Sequence, residues 1–325
     1  MNRGPNENII YTNGLTKRFN GTTAVDNLSL QIPPGVIFGF IGPSGCGKTT
    51  SVRLLLGVYK PDSGDIQVLG NTPEKFSHRE RAKIGYMPQE FILYPELDVW
   101  ENMNFAASIY GYPLRRKERL RTLLELVELT GQERKKVRNL SGGMKNRLSL
   151  AASIIHNPQL LFLDEPTAGI DPMLRRKFWD YFRQLREENR TLFVTTQYVG
   201  EAAYCDYVGV MMDGRLVRVD TPEGLRRQAL GGEVIHLQCA DYLSAEELER
   251  LMQQPFIQNG QASQLADRVL ELVVDDAATT LPRLLDYCQK ENITVLSAGE
   301  YVPPFDDIFV RLIEQENHQK ETPVA

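Results

Sequence analysis

The stretch Gly42-Pro43-Ser44-Gly45-Cys46-Gly47-Lys48-Thr49 fits the pattern G-x-x-x-x-G-K-[ST], and it constrains this chain more than any other. Ahead of it, Gly35 to Ile41 (G-V-I-F-G-F-I) reads as a short buried strand. Behind it, Thr49 to Gly57, with Leu54, Leu55 and Leu56, reads as the start of a helix. Glycines at 42, 45 and 47 let the backbone bend so that successive N–H groups point inward at a phosphate. The helix N-terminus adds a partial positive charge at the same place. Lys48 can then bridge β- and γ-phosphates, and the Thr49 hydroxyl can ligate Mg²⁺. An ordinary glycine-rich turn into a helix needs neither side chain. With glycine near 7% of residues, the pattern arises by chance in about one chain in a hundred of this length, so its company decides what it means.

Two further motifs follow it. Leu160 to Leu163 is an apolar run that ends abruptly in Asp164 and Glu165, the pattern of a buried parallel strand delivering carboxylates at its C-terminal edge, where ligands bind in open α/β sheets. Asp164 would hold the Mg²⁺ shell, and Glu165 would orient and polarise an attacking water. Ser141-Gly142-Gly143 precedes a helix expected from Met144 to Ile155, which offers a second helix N-terminus and a hydroxyl for an anion.

In this order the three motifs resemble the nucleotide-binding subunit of an ABC transporter. The resemblance implies an ATPase with an α/β fold, a P-loop NTPase of ABC type, that uses ATP and Mg²⁺. Gly42, Pro43, Ser44, Gly45, Cys46, Gly47, Lys48, Thr49 and Thr50 would cradle the nucleotide. Ser141, Gly142 and Gly143 would face the γ-phosphate held by another subunit, so ATP would be sandwiched in a dimer of two copies or of two homologous ATPase subunits. Pro166-Thr167-Ala168-Gly169-Ile170-Asp171 looks like the family's D-loop, which crosses that interface. Phe19 occupies the place of the ring that stacks on adenine, with Tyr11 as a nearby competitor. Gln89 matches the glutamine that reaches Mg²⁺ and links the site to a transmembrane partner.

The chain departs from the family pattern twice. Met144 stands where the signature normally ends in glutamine, and Gln197 stands where a histidine normally contacts the γ-phosphate. A glutamine amide can still donate to a phosphate oxygen, but it cannot carry positive charge. A charge-assisted bond is roughly twice as strong as a neutral one. With Glu165, Lys48 and Thr49 in place, the expectation is an active but slow enzyme, with Glu165, Lys48 and Gln197 as its catalytic residues.

The rest of the chain sets bounds. A formal net charge of −5 over 325 residues argues against a nucleic-acid partner, and acidic residues break up the basic run at Arg115, Arg116, Lys117, Arg119 and Arg121. No apolar stretch approaches the roughly 20 residues that span a bilayer, so separate transmembrane permease subunits and a peripheral place on the cytoplasmic face of the membrane are expected. The cysteines at 46, 205, 239 and 288 lack metal-ligand spacing and suit a reducing compartment. Cys46 would have its pKa lowered by Lys48 and the helix dipole.

The pattern along the chain predicts a nucleotide-binding domain over 1–231. It comprises an antiparallel β subdomain from 8 to about 34, a parallel-sheet core over 35–89 and 159–213, and a helical subdomain over about 91–139. Phe91, Ile92, Leu93 and Tyr94 would line a groove for a membrane subunit, or else be buried packing. After Gly231-Gly232 a β-α-β-α-β pattern restarts and ends on a short helix from Phe305 to Ile313. This predicts a small C-terminal α+β domain over 232–316 and a disordered tail over 317–325. The appendage resembles the ATPase subunits of drug-, polysaccharide- and lipid-exporting systems. A soluble non-transport ABC ATPase, or a slow regulatory nucleotide-binding module favoured by Gln197 and Met144, are the alternatives.

Overall fold

The computed structural model describes residues 7–90, 92–113, 115–258 and 262–321. Contacts divide the chain into two compact units, Met1–Val219 and Asp220–Ala325.

The first unit is built around a six-stranded sheet. Its strands are β3 (Ile37–Ile41), β5 (Ile84–Met87), β6 (Leu160–Asp164), β7 (Thr191–Thr196), β8 (Tyr207–Met212) and β9 (Arg215–Asp220), in the order β5-β6-β7-β3-β8-β9. The pairings β5–β6, β6–β7, β7–β3 and β3–β8 are all parallel. Every residue of β3, β6 and β7 is buried, as their near-continuous apolar runs require of strands covered on both faces. Phe38, Phe162 and Phe193 meet across neighbouring strands, with ring centroids 5.4 Å apart for 38–193 and 5.5 Å for 162–193.

One face of this sheet shares a core with helix α1 (Lys48–Leu55) and a three-stranded antiparallel sheet, β2-β1-β4, of β1 (Ile10–Phe19), β2 (Thr22–Ile32) and β4 (Ser63–Val68). β4 lies inside the stretch that the sequence assigns to the parallel core. Its Ser63-Gly64-Asp65-Ile66-Gln67-Val68 alternates polar and apolar residues at its end, and such a strand pairs where one face stays wet. Against the main sheet packs α6 (Pro172–Glu187), whose Leu174, Phe178, Trp179, Phe182 and Leu185 form one buried stripe at helical spacing. Each side chain contributes about 1.5–3 kcal/mol through burial.

A helical layer is formed by α3 (Val99–Ile109), α4 (Lys117–Leu126) and α5 (Gly142–Ser153), with a single turn α2 (His78–Arg81) upstream. Asp98 starts α3 with a capping box, accepting from Glu101 N–H at 2.7 Å while Glu101 returns the bond at 2.8 Å. α3 and α4 fall inside the helical subdomain expected over about 91–139.

The second unit pairs β11 (Ala262–Gln264), β12 (Val269–Val274), β10 (Glu233–Cys239) and β13 (Val295–Tyr301) in the order β11-β12-β10-β13, all antiparallel. Helices α8 (Ala245–Met252) and α9 (Ala277–Lys290) contribute to its core, while α7 (Pro222–Leu230) packs against α10 (Phe305–Glu321). The α+β expectation holds in outline, with three differences. The sequence reading leaves α7 with the first domain, whereas its contacts place it in the second unit. Residues Leu281 to Lys290 predict the second helix of this domain, but it starts at Ala277, because Asp276 caps it by accepting from Thr279 N–H at 2.7 Å, leaving Pro282 inside. The last helix runs on to Glu321 through most of the stretch expected to be a disordered tail; residues 322–325 lie outside the described set.

Candidate nucleotide site

The loop between β3 and α1 is fixed by close backbone packing. A Cβ at Gly42 would sit 2.2 Å from the Met211 carbonyl oxygen, and one at Gly47 (φ 107°) would sit 2.3 Å from that of Ala24. These are main-chain atoms that cannot yield, so glycine is required at both. The loop is also tied to the turn after β8: Gly214 N–H donates to the Cys46 carbonyl at 3.0 Å, and Asp26 N–H donates to that of Gly214 at 2.8 Å. Lys48 is nearly buried and folds back over the loop, its Nζ donating to the carbonyls of Gly42 at 2.7 Å and Pro43 at 3.0 Å. Thr49 and Thr50 are half-buried in the first turn of α1, and Pro43, Ser44 and Gly45 form an exposed rim. Cys46 behaves contrary to expectation. Burial pushes its thiol pKa up, and the opposing pull of Lys48 does not overcome this. The residue is a packed part of the loop and not an activated thiol.

β6 delivers the carboxylates. Asp164 is buried at the end of the strand, paired in register with Thr195 of β7. Its Oδ1 accepts from the Thr195 hydroxyl, while its Oδ2 is buried with no hydrogen-bond partner. Glu165 turns the chain out of the strand in the left-handed region (φ 53°), and its N–H donates to the Thr195 carbonyl at 3.1 Å and hydroxyl at 3.2 Å. Burial pushes the Glu165 carboxyl up; Lys48 pulls against this, while Asp164 and Glu201 reinforce it. One threonine thus holds the Asp164 carboxylate and the Glu165 backbone. Sequence reasoning missed it, although Thr195-Thr196 ending the apolar Leu192-Phe193-Val194 is a legible signal: two hydroxyls at the ligand edge of a buried strand.

The strand order sets the remaining geometry. β7 lies between β6 and β3, so Thr195, Thr196 and the exposed Gln197 emerge between the carboxylates on one side and the phosphate loop on the other. The structure brings together Gly42 to Thr50, Asp164, Glu165 and Gln197 at one edge of the sheet. Gln89 is exposed just past β5, next to the edge of β6. Phe19 ends β1 as an exposed ring, edge-on to Tyr59 (centroids 5.2 Å apart) and with Lys17 Nζ 5.4 Å from its centre. Tyr11 sits inside the same sheet, paired with Gln31 and Gln67.

Ser141 caps α5, its Oγ accepting from Met144 N–H at 3.3 Å; Ser141 and Gly142 are exposed. No hydrogen bond joins Ser141, Gly142 or Gly143 to the phosphate loop among the described residues. Asn146 instead ties α5 to the 166–171 loop, its Nδ2 donating to the carbonyls of Pro166 at 3.1 Å and Ala168 at 3.0 Å. Asp171 closes that loop by capping α6, accepting from Met173 and Leu174 N–H. Ile92, Leu93 and Tyr94 line a groove of about 180 Å³ with Pro88, Phe105 and Ile109. Ile92 is 70% exposed, so packing does not account for it; Phe91 lies outside the described residues.

The donor set fits a magnesium ion shared with phosphates. Mg²⁺ is commonly bound by one or two carboxylates plus substrate phosphates instead of an all-protein cage. No cluster of three or more His, Cys, Asp or Glu that could hold a metal occurs among the described residues. The buried, unpartnered Asp164 Oδ2 is a ligand atom of the required kind.

A glycine loop at a helix N-terminus, with an acidic pair on a nearby parallel strand, defines a P-loop nucleotide-binding cassette. Residues 25–168 match the ABC transporter family. The chain is 38% identical over 230 residues to the "Probable multidrug ABC transporter ATP-binding protein YbhF" of Escherichia coli K12, covering 70% of this chain but only 40% of that protein's length. It is 34% identical over 304 residues to the Nod factor export ATP-binding protein I of Rhizobium etli, covering 93% of this chain and 92% of that one. Among solved structures it resembles an ATP-binding cassette captured as a dimer with ADP and Pi after hydrolysis, at 25% identity and a TM-score of 0.61, covering 65% of this chain and 98% of that one. The chain belongs to the ABC transporter family as an ATP-binding protein, and ATP hydrolysis is that family's activity.

Proposed function

We propose that this protein is the ATP-hydrolysing subunit that drives an exporter, docked on separate membrane subunits at the cytoplasmic face and working as a dimer with ATP between two copies. The observation that carries this reading is the convergence of the phosphate loop, the Asp164–Glu165 pair and Gln197 on one edge of the parallel sheet. The Rhizobium etli relative is named for Nod factor export, which supports the direction of transport, and the Escherichia coli relative is named for multidrug transport. No helix among the described residues is long and apolar enough to cross a membrane, which fits a subunit that borrows its channel. The exposed Ile92, Tyr94, Phe105 and Ile109 offer the apolar surface that a membrane subunit would cover.

In this reading the loop N–H groups and Lys48 bind the phosphates, with Lys48 leaving the Gly42 and Pro43 carbonyls to do so, and Phe19 stacks on the base. Thr49 and Asp164, with Gln89, would hold Mg²⁺, which supplies charge neutralisation on the β- and γ-phosphates. Glu165, its carboxyl raised by burial, accepts a proton from the attacking water as the γ-phosphate bond breaks. Gln197 donates to a γ-phosphate oxygen, and Ser141 of a second copy closes the far side. Light scattering tests the arrangement. Glu165→Gln is expected to form a stable dimer with ATP and Mg²⁺, since binding survives while water activation is lost. A strictly monomeric variant at saturating ATP would sink the sandwich.

A further inference from the structure

One guanidinium touches both the 166–171 loop and the segment that carries Gln197. Arg175, early in α6, donates from Nη2 to the Ile170 carbonyl at 3.4 Å. Its charged plane lies over the Tyr198 ring, 4.6 Å from the centroid, and its Nε is 3.6 Å from Glu201 Oε1. Glu201 is only 3% exposed, and its Oε2 accepts from the Thr196 hydroxyl at 2.7 Å. The same hydroxyl accepts from Tyr198 N–H at 3.0 Å. Both neighbours of Gln197 are therefore gripped, Thr196 by Glu201 and Tyr198 by Arg175.

The pair is not explained by stability alone. Glu201 is buried while the Arg175 side chain keeps 29% of its surface exposed, and desolvating a carboxylate beside such a partner costs about as much as their attraction returns. Arg175 Nε and Glu201 Oε1 are moreover both buried without a hydrogen-bond partner, facing each other across the 3.6 Å gap. A bond between them would need only a shift to about 2.9 Å.

We propose that Arg175 is a positioning residue for hydrolysis: through Glu201 and Tyr198 it sets the orientation of the Gln197 amide, and through the Ile170 carbonyl it ties that orientation to the 166–171 loop. A second copy of the chain pressing on this loop then reaches Gln197 within the same subunit by way of one side chain. The inference rests on the reading of Gln197 as a γ-phosphate contact.

Its test is a mutant cycle read by steady-state ATPase and by nucleotide titration. Arg175→Met keeps an unbranched stem against Tyr198 but removes charge and donors. It is expected to lower kcat about tenfold and leave ATP affinity within about twofold, with Arg175→Lys recovering part of the loss. The decisive arm is the Gln197→Ala background, where Arg175→Met is expected to change kcat by less than about twofold, because residues acting through one group are not additive. An unchanged kcat for Arg175→Met, or losses that multiply in the double variant, would overturn the proposal. If Arg175→Met melts below the assay temperature, Glu201→Gln carries the same expectation and the same refutation. Glu165→Gln separates this inference from the reading beneath it. Wild-type turnover in Glu165→Gln removes the hydrolytic reading, and the inference with it; loss of turnover there with additive Arg175 and Gln197 effects removes the inference alone.

Discussion

Replacing Thr195 with valine exchanges one hydroxyl for a methyl of nearly the same size, so no cavity opens and the effect isolates hydrogen bonding. The side chain is completely buried; its hydroxyl donates to Asp164 Oδ1 and accepts from Glu165 N–H at 3.2 Å. A hydrogen bond to a charged group contributes about 1.5–3 kcal/mol, and removing it leaves a buried carboxylate short of partners. For a unit of this size each kcal/mol is worth roughly 2–4 °C, so Tm is expected to fall by about 3–12 °C. The functional effect is separate. Asp164 loses the group that fixes its carboxylate plane and so the placement of its unpartnered Oδ2, and loss of such an outer partner typically weakens metal binding 10–100-fold, or about 1.4–2.7 kcal/mol. The assay is ATPase rate against Mg²⁺ concentration, with Tm measured in parallel. Thr195→Val is expected to need at least about tenfold more Mg²⁺ for half-maximal rate, and Thr195→Ser, which keeps the hydroxyl, to stay near wild type. Wild-type Mg²⁺ dependence in the valine variant would refute the argument, whatever its Tm.

Lys48→Ala is expected to abolish tight ATP binding, whereas Phe19→Ala should weaken it by about 0.5–1.5 kcal/mol, both read by nucleotide titration; a loss on Tyr11→Ala instead would move the adenine site. Gln197→His is expected to raise kcat about tenfold with little change in affinity, since only histidine can add positive charge as the transition state forms; a slower histidine variant would mean that the glutamine positions water. His156 has its pKa lowered to about 4 by burial, stacked on Tyr110 with its Nε2 3.0 Å from the Ile84 carbonyl. Because the unfolded state takes up the proton first, stability is full above about pH 6.5 and falls as pH drops toward 4, by about 3 kcal/mol at most and less for a half-buried ring; melts of wild type and His156→Gln between pH 4 and 8 test this. A chain truncated after Asp220 is expected to fold and bind ATP, whereas one ending at Gly231 keeps the apolar Leu225, Ala229 and Leu230 of α7 without α10 and should aggregate, as gel filtration would reveal.

What could be read from the sequence depended on whether a feature is local. The phosphate loop, the acidic pair and the cap at Ser141 are contiguous strings whose chemistry is visible in order, and the structure gives each the expected strand, turn or helix terminus. Thr195, Asn146 and Arg175 matter through partners 31, 20 or 26 positions away; two hydroxyls ending a buried strand mark Thr195 as lying at the ligand edge, but nothing in the sequence names its partner or those of Asn146 and Arg175. The error over Cys46 has the same origin. Its neighbours Lys48 and the helix start were visible, but the packing by Met211 and Ala24 that buries the loop comes from distant strands, and desolvation outweighs the visible charge. The partners of β4 follow from which face must stay wet, a property of the assembled sheets that its place between two strands of the parallel core does not reveal.

The departures at Met144 and Gln197 acquire different weights once the structure is known. Met144 lies half-buried in the first turn of α5, and what Ser141 needs from that position is the backbone N–H, which methionine supplies as well as glutamine does. The helix start is therefore intact, and only a side-chain amide is missing. Gln197 is different, because it is exposed at the end of β7, whose neighbours β3 and β6 lead into the loop and carry the carboxylates. A neutral amide there hydrogen-bonds with a strength that does not grow by acquiring charge during the reaction, so its contribution depends on where it is held. That shifts the burden from the chemistry of residue 197 to the structure that aims it, the Thr196–Glu201–Arg175–Tyr198 arrangement. A chain that keeps glutamine at this position should lose more from a disturbed Arg175 than its Gln197→His variant does, since a charged imidazole attracts phosphate over a longer range and tolerates misalignment better.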